Sequence, residues 1–421
     1  MAGPYRSVNR RLNKWRSPER SVLKDLCPIM PSPALSHYTI IDLTTQIPGP
    51  YCSLLLADFG ASIIKVEPPG GDPLRAFPHW FASVNRGKRS AVINLKTEDG
   101  KRLIARLFEQ ADVVLEGFRP GTAQRLGVDY ETARTVKPAV VYCSISGFGQ
   151  DGPYRLRAGH DVNYQAIGGL LGMAEGSDGM PVVPPVLVSD LASGLYASVA
   201  VLAALTHRTR TGEGQYIDLS MTDTILSWMS PEIARSGLAG PTDTRPLLSG
   251  LPHYQVFKTA DGEAITLGIV YEPHFWHRLC DLLGWPEWRE WDTEGRMQHA
   301  PDIQARLETV FASATRQEWD EKLQAADIPC GPVYRLDELP NDPQFQIREP
   351  FFELTNANGE TSRQTRPPYR FSGLPDHGMA PPPILGEHTH QILTEAGFSA
   401  GEIGDFINRG VIHVSESSQT A

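Results

Sequence analysis

The chain has 421 residues, 41% of them hydrophobic and 21% charged, a composition that fits a globular protein of two domains or one elaborate one and excludes collagen, coiled coil and bulk disorder. With 39 Lys and Arg against 49 Asp and Glu, the formal charge is −10. Neither nucleic acid nor an anionic membrane is therefore an expected partner, and any anionic ligand must be met by a local basic patch.

Residues 1–36 carry seven basic and two acidic side chains, leaving −15 for the rest. This extension reads as a segment removed from the mature protein, either as an organellar transit peptide or because translation starts at Met30. From Tyr38 onward short β-branched runs alternate with helical ones. YTIIDL (38–43) is predicted as a strand, 50–61 as a helix, SIIKVE (62–67) as a strand, AVINL (91–95) as a strand and 98–110 as an amphipathic helix. Strands at 113–118 and 139–145 follow, with a helix near 122–125 between them. Such β-α-β alternation predicts a parallel sheet with both faces covered, a Rossmann-like α/β layer.

Residues 186–206 form the longest apolar stretch, but Asp190 and many Ala, Ser and Gly residues make it a closely packed buried helix rather than a membrane span. A strand at 214–221 and a helical stretch at 222–235 complete this half. Next, 253–269 reads as two strands around the Asp261-Gly262 turn, and 273–283 as a Trp-rich helix. Together they open a smaller α+β domain ending near 345. The Pro- and Gly-rich segment 350–383 reads as an extended return, and 389–396 as a final helix.

Five scattered cysteines contain no C-x-x-C pair, so no disulfide framework or zinc site is signalled and a reducing compartment is expected. His274, His277, His388 and His390 show pairwise metal-like spacing without a third ligand, and no metal is expected. P-loop, G-x-S-x-G and H-E-x-x-H signatures are absent. Pro48-Gly49-Pro50 after the first strand is either an anion-binding helix start or a plain tight turn. Basic residues concentrate from Lys88 to Arg125, which suits a phosphate-bearing small molecule or, for Lys101, Arg102 and Arg106, a solvated helix face. Taken alone, Asp190 reads as a helix cap and His160 as a structural histidine.

The runs DLTTQIPGPYCSLLLADFGASIIKVEPPGGDPLR (42–75), NRGKRSAVINLKTEDGKRLI (85–104), ADVVLEGFRPGTAQRLGV (111–128), VYCSISGFGQDGPYR (141–155), TRTGEGQYIDLSM (209–221), IPCGPV (328–333) and LGEHT (385–389) resemble, in family order, the CaiB/BaiF or family III CoA-transferases. The resemblance spans about residues 37 to 410. It implies a large Rossmann-like CoA-binding domain at 37–225, a small α+β domain at 226–345, and a return segment at 346–421 that rejoins the large domain. It also implies an interlocked homodimer acting on an acyl-CoA substrate, with no cofactor beyond that CoA. A cytoplasmic location is expected, or a mitochondrial or peroxisomal-type compartment in a eukaryote.

By position, the family's CoA contacts fall on Ile47, Pro48, Ile93, Asn94, Leu95, Lys96, Gly117, Phe118, Arg119, Arg125, Ala158 and Gly159. Pro68 stands where formyl-CoA transferase-like members often carry a basic residue. The family aspartate aligns with Asp190, which is a nucleophile in the transferases and an acid/base in the α-methylacyl-CoA racemase branch. GHDVNY (159–164) and YEPHFW (271–276) resemble racemase motifs, and LLSGLPHYQ (247–255) lacks the glycine-rich loop of the formyl-CoA transferases. The resemblance thus implies His160 and Asp190 as an acid/base pair, Glu272 orienting His160, and Asp161 in support. A racemase is favoured over a transferase, with a non-catalytic acyl-CoA-binding homologue as the third reading.

Overall fold

The computed structural model describes residues 32–415 apart from 175, 177, 178, 240–247, 249 and 375–378. The basic residues of the N-terminal extension, and Leu247 and Ser249 of LLSGLPHYQ, lie outside the described residues. In chain order the first half contains β1 (Thr39–Asp42), α1 (Pro48–Ala57), β2 (Ser62–Glu67), α2 (Pro78–Asn85), β3 (Lys88–Ile93), α3 (Glu98–Phe108), β4 (Val113–Glu116), α4 (Thr122–Leu126), α5 (Tyr130–Val136) and β5 (Val141–Ser146). It continues with α6 (Asp161–Ile167), α7 (Val188–Thr211), β6 (Gln215–Ser220), α8 (Met221–Trp228) and α9 (Ser230–Ala239). The second half holds β7 (Tyr254–Lys258), β8 (Ala264–Gly268), α10 (Pro273–Leu283), α11 (Thr293–Gln298), α12 (Ala300–Phe311), α13 (Arg316–Ala325) and β9 (Cys330–Pro332). It ends with α14 (Pro343–Arg348), β10 (Phe351–Thr355), β11 (Thr361–Thr365), α15 (Thr389–Glu395), α16 (Ala400–Asn408) and β12 (Ile412–His413).

The seven-stranded sheet runs β12-β3-β2-β1-β4-β5-β6, parallel throughout except for β12, which pairs antiparallel with β3. Period-two alternation explains its double burial. Ile41, Ile64 and Val114 point to a cluster with α3, α15 and α16, whereas Ile40, Ile63 and Val113 point to one with α1, α6 and α7. The chain winds outward in one direction from β1 to β3 and in the other from β4 to β6. The junction of β1 and β4 is therefore where loops diverge and a crevice opens at the strands' C-terminal ends.

Helix α7 is long and apolar enough to cross a bilayer by composition, yet half of that stretch is buried against the fold. Gly194 sits against the Pro48 carbonyl, a contact that leaves no room for a side chain and brings α7 onto α1. Unlike the fully packed helix that its composition predicts, α7 leaves Leu195, Tyr196 and Val199 exposed on its other face.

A separate antiparallel sheet, β7-β8-β9, packs with α10, α12 and α13 around Phe257, Trp276, Leu279 and Phe311. Part of the segment read as an extended return, 350–383, departs from that expectation: β10 and β11 form an antiparallel hairpin from Phe351 to Thr365, while the described residues from 366 to 383 hold no helix or strand. The hairpin's strands alternate weakly, FFELT against TSRQT, so hydrophobic periodicity gives little sign of them.

Candidate active site

The loops leaving β1, β4 and β5 enclose a cavity of about 410 Å³ lined by Thr44, Gln46, Pro48, Gly117, Phe118, Arg119, Ser146, Arg155, Arg157, Ala158, Gly159, His160, Tyr164 and Asp190, among others. It lies at the junction where the winding of the sheet reverses, the expected place for a ligand in an open α/β sheet. The chain thus brings His160 and Asp190, about thirty residues apart, into one cavity.

Asp190 lies in the first turn of α7, whose N-cap residue Leu187 offers no side-chain cap. Asp161 supplies the missing acceptor from the start of α6. Its buried Oδ1 accepts the N–H groups of Ser189 at 2.7 Å and Asp190 at 3.1 Å, while the Gln165 amide donates to Oδ2. Asp161 is therefore consumed in holding α7 and does not line the cavity. Burial pushes the Asp190 carboxyl up to about 7, and the charge of Asp161 adds to the effect.

His160 precedes α6, exposed at the cavity, with its backbone N–H donating to Asn163 Oδ1 at 3.0 Å. The strand of chain leading to it is fixed by Tyr164, whose hydroxyl donates to the Gly159 carbonyl at 2.6 Å. The Tyr164 ring fills the space that a Cβ on Gly147 or Gly159 would need, so both positions require glycine for close approach. Burial, together with the Asp190 charge, raises the Tyr164 phenol.

The remaining expected site residues divide. Pro48, Gly117, Phe118, Arg119, Ala158 and Gly159 line the cavity. Ile47 is buried beside Leu74, Phe81 and Val84, and its neighbour Gln46 faces the cavity. Ile93 is buried in the core, and Asn94, Leu95 and Lys96 lie at the end of β3 away from the lining. Arg125 is exposed outside the cavity and donates to Thr122 Oγ1 at 2.7 Å. Glu272 precedes α10 in the smaller α+β unit and accepts the Val270 N–H at 3.1 Å. Among the described residues no hydrogen bond or ion pair joins it to His160.

The basic concentration from Lys88 onward also needs correction, because most of it is neutralised within the fold. Lys88 pairs with Asp42 at 3.2 Å and Arg89 with Glu395 at 2.7 Å, while Lys101, Arg102 and Arg106 each pair along α3 or its end. Arg119 faces the cavity, joined by Arg155 and Arg157 from beyond the Lys88–Arg125 stretch. Their signal was available: RLR stands directly before AGHD.

The family model described as CoA-transferase family III matches residues 35–389. The chain is 34% identical to the succinate–glutarate CoA-transferase of Agrobacterium fabrum over 387 residues, covering 86% of this chain and 96% of the relative. It is 33% identical to human alpha-methylacyl-CoA racemase over 377 residues, covering 88% and 95% respectively. In structure it is similar to a CaiB/BaiF family protein from Brucella suis, with a TM-score of 0.78, 30% identity, and coverage of 87% of this chain and 100% of that one. The chain belongs to CoA-transferase family III, a family of enzymes that holds both CoA-transferases and a racemase.

Proposed function

We propose that this enzyme is an α-methylacyl-CoA racemase, catalysing a 1,1-proton transfer at the α-carbon of a 2-methylacyl-CoA. The observation that carries this reading is that His160 and Asp190 line a single cavity. Inverting a carbon through its enolate requires one group to remove a proton and another to return one on the opposite face. Asp190, pushed up to about 7 by burial, can hold or release its proton near neutrality. Such a pair can work in either direction. His160 removes the α-proton while protonated Asp190 delivers one, and the roles exchange in reverse. Asp161 holds the turn of α7 that carries Asp190. Arg119, Arg155 and Arg157 provide cations for the CoA phosphates.

The reading includes an interlocked homodimer. Support comes from the apolar side chains left exposed on consecutive helices: Leu195, Tyr196 and Val199 of α7, Leu226 and Trp228 of α8, and Ile233 of α9. An orienting role for Glu272 on His160 belongs to this dimer, since one chain leaves the two apart.

The similarity to a succinate–glutarate CoA-transferase favours a second reading. Asp190, as carboxylate, attacks the thioester carbonyl and expels CoA thiolate to give a mixed anhydride. The thiolate attacks the Asp190 carbonyl of that anhydride, releasing the first carboxylate and leaving an enzyme thioester. The second carboxylate displaces the thiolate from it, and the thiolate attacks the acceptor-derived carbonyl of this second anhydride to form the new acyl-CoA and free Asp190. Incubation with a single enantiomer of 2-methylacyl-CoA, with and without a free dicarboxylic acid, separates the two. Inversion without an acceptor is the expected result. A new CoA thioester formed only with the acceptor, and no inversion, would support the transferase.

A further inference from the structure

A buried chain of charges ends on one wall of the cavity, and neither proposed chemistry uses it. The wall is the loop of residues 44–46 between β1 and α1. Gln46 lines the cavity with φ 66°, a left-handed backbone that residues with side chains rarely adopt. Something must hold it there. Asp72 Oδ1 accepts the Gln46 N–H at 3.2 Å and the Leu74 N–H at 2.9 Å. Lys65 Nζ pairs with Asp72 at 2.9 Å and donates to the Thr44 carbonyl at 2.9 Å. From the other side Asp42 accepts the Thr44 N–H at 2.9 Å and the Thr44 hydroxyl at 2.5 Å, and is itself paired with Lys88.

All four charged side chains are buried, and none lines the cavity. Buried ion pairs of this kind commonly bring no net stability over apolar residues of the same size. What these pairs do bring is geometry, because each hydrogen bond reaching the loop ends on a backbone group of Thr44 or Gln46, or on the Thr44 hydroxyl beside them.

We propose that Lys65 and Asp72 are positioning residues that hold the loop of residues 44–46, with Gln46 in its left-handed conformation, so that the wall is preformed for the CoA thioester. This rests on the reading of the cavity as a CoA-thioester site. Asparagine at 72 keeps an acceptor for the Gln46 N–H but loses the charge that fixes it to Lys65. Glycine at 46 takes positive φ without being held.

The test measures CoA binding by calorimetry and acyl-CoA turnover. Asp72→Asn is expected to weaken CoA binding on the order of tenfold, the scale of one charge-assisted hydrogen bond, and to raise KM with kcat within about twofold. Adding Gln46→Gly to Asp72→Asn is expected to recover most of that loss, which a merely structural role of Asp72 would not allow. Should Asp72→Asn fail to fold, Gln46→Val is the second variant. A β-branched residue is strained at positive φ, so this variant is expected to weaken CoA binding in a protein that still folds, with a lowered Tm. Binding as tight as that of the unaltered protein in Asp72→Asn or Gln46→Val, or no recovery in the double variant, would overturn the inference. Absence of CoA binding by the unaltered protein would instead overturn the reading of the cavity itself.

Discussion

Replacing Asp190 with asparagine should make the protein more stable while removing its activity. A carboxyl held at about 7 in the folded chain, against 3.8 ordinarily, keeps its proton to higher pH than the same group in the unfolded chain. Folding then takes up protons between about pH 4 and 7, so stability falls as pH rises through that window and levels off above it. The gap between the two values bounds the effect at about 4 kcal/mol, from 1.36 kcal/mol per pH unit. Solvent at the cavity side of Asp190 reduces this to about 2 kcal/mol. Asparagine is isosteric and never ionises. Denaturant unfolding of both proteins at pH 5 and pH 8 should therefore show Asp190→Asn the more stable, by about 2 kcal/mol at pH 8 and less than about 1 kcal/mol at pH 5. A destabilised variant, or a difference that does not grow with pH, would refute the assignment of Asp190 as a carboxyl strained by burial.

Asp161→Asn keeps an acceptor for the Ser189 and Asp190 N–H groups, and Gln165, whose Oε1 has no hydrogen-bond partner among the described residues, can turn to accept from the new amide. The limb of the kcat/KM pH profile belonging to Asp190 should move to lower pH while staying above the ordinary carboxyl range, because burial is the larger cause; an unmoved or alkaline-shifted limb counts against this. Gly159→Ala forces a Cβ into the Tyr164 ring, and denaturant unfolding should show a loss of about 1–3 kcal/mol together with lost turnover. Arg155→Ala and Arg157→Ala should each weaken CoA binding a few-fold at low salt and less at high salt. A salt-independent loss would show that the arginines act by something other than charge.

The strands β1, β2 and β4 were legible as short β-branched runs (TIID, SIIKVE and VVLE), β3, β5 and β6 through shorter apolar stretches spaced between helices, and α3 because Leu103, Ile104, Leu107 and Phe108 fall on one face behind a Thr97 cap. Helix α6 was not, since seven residues carry too little periodicity, and the β10–β11 hairpin was hidden by polar strands in a Pro-rich neighbourhood. The candidate site was legible only in pieces. Asp190 and His160 stood out through the family resemblance, while their meeting in one cavity depends on α6 docking on α7 through Asp161. The basic cluster was misread for a physical reason: the partners of Lys88 and Arg89 are Asp42 and Glu395, far away along the chain. Charge counted along a sequence does not reveal which charges remain free.

Deuterium exchange at the α-carbon tests the central claim most directly. A single enantiomer of 2-methylacyl-CoA incubated with enzyme in deuterated water, with no carboxylic acid added, should gain one deuterium at the α-carbon as its configuration inverts. His160→Ala and Asp190→Ala should both abolish this. Retention of the α-proton by the unaltered enzyme, with CoA exchange appearing only when an acceptor acid is supplied, would contradict the racemase assignment.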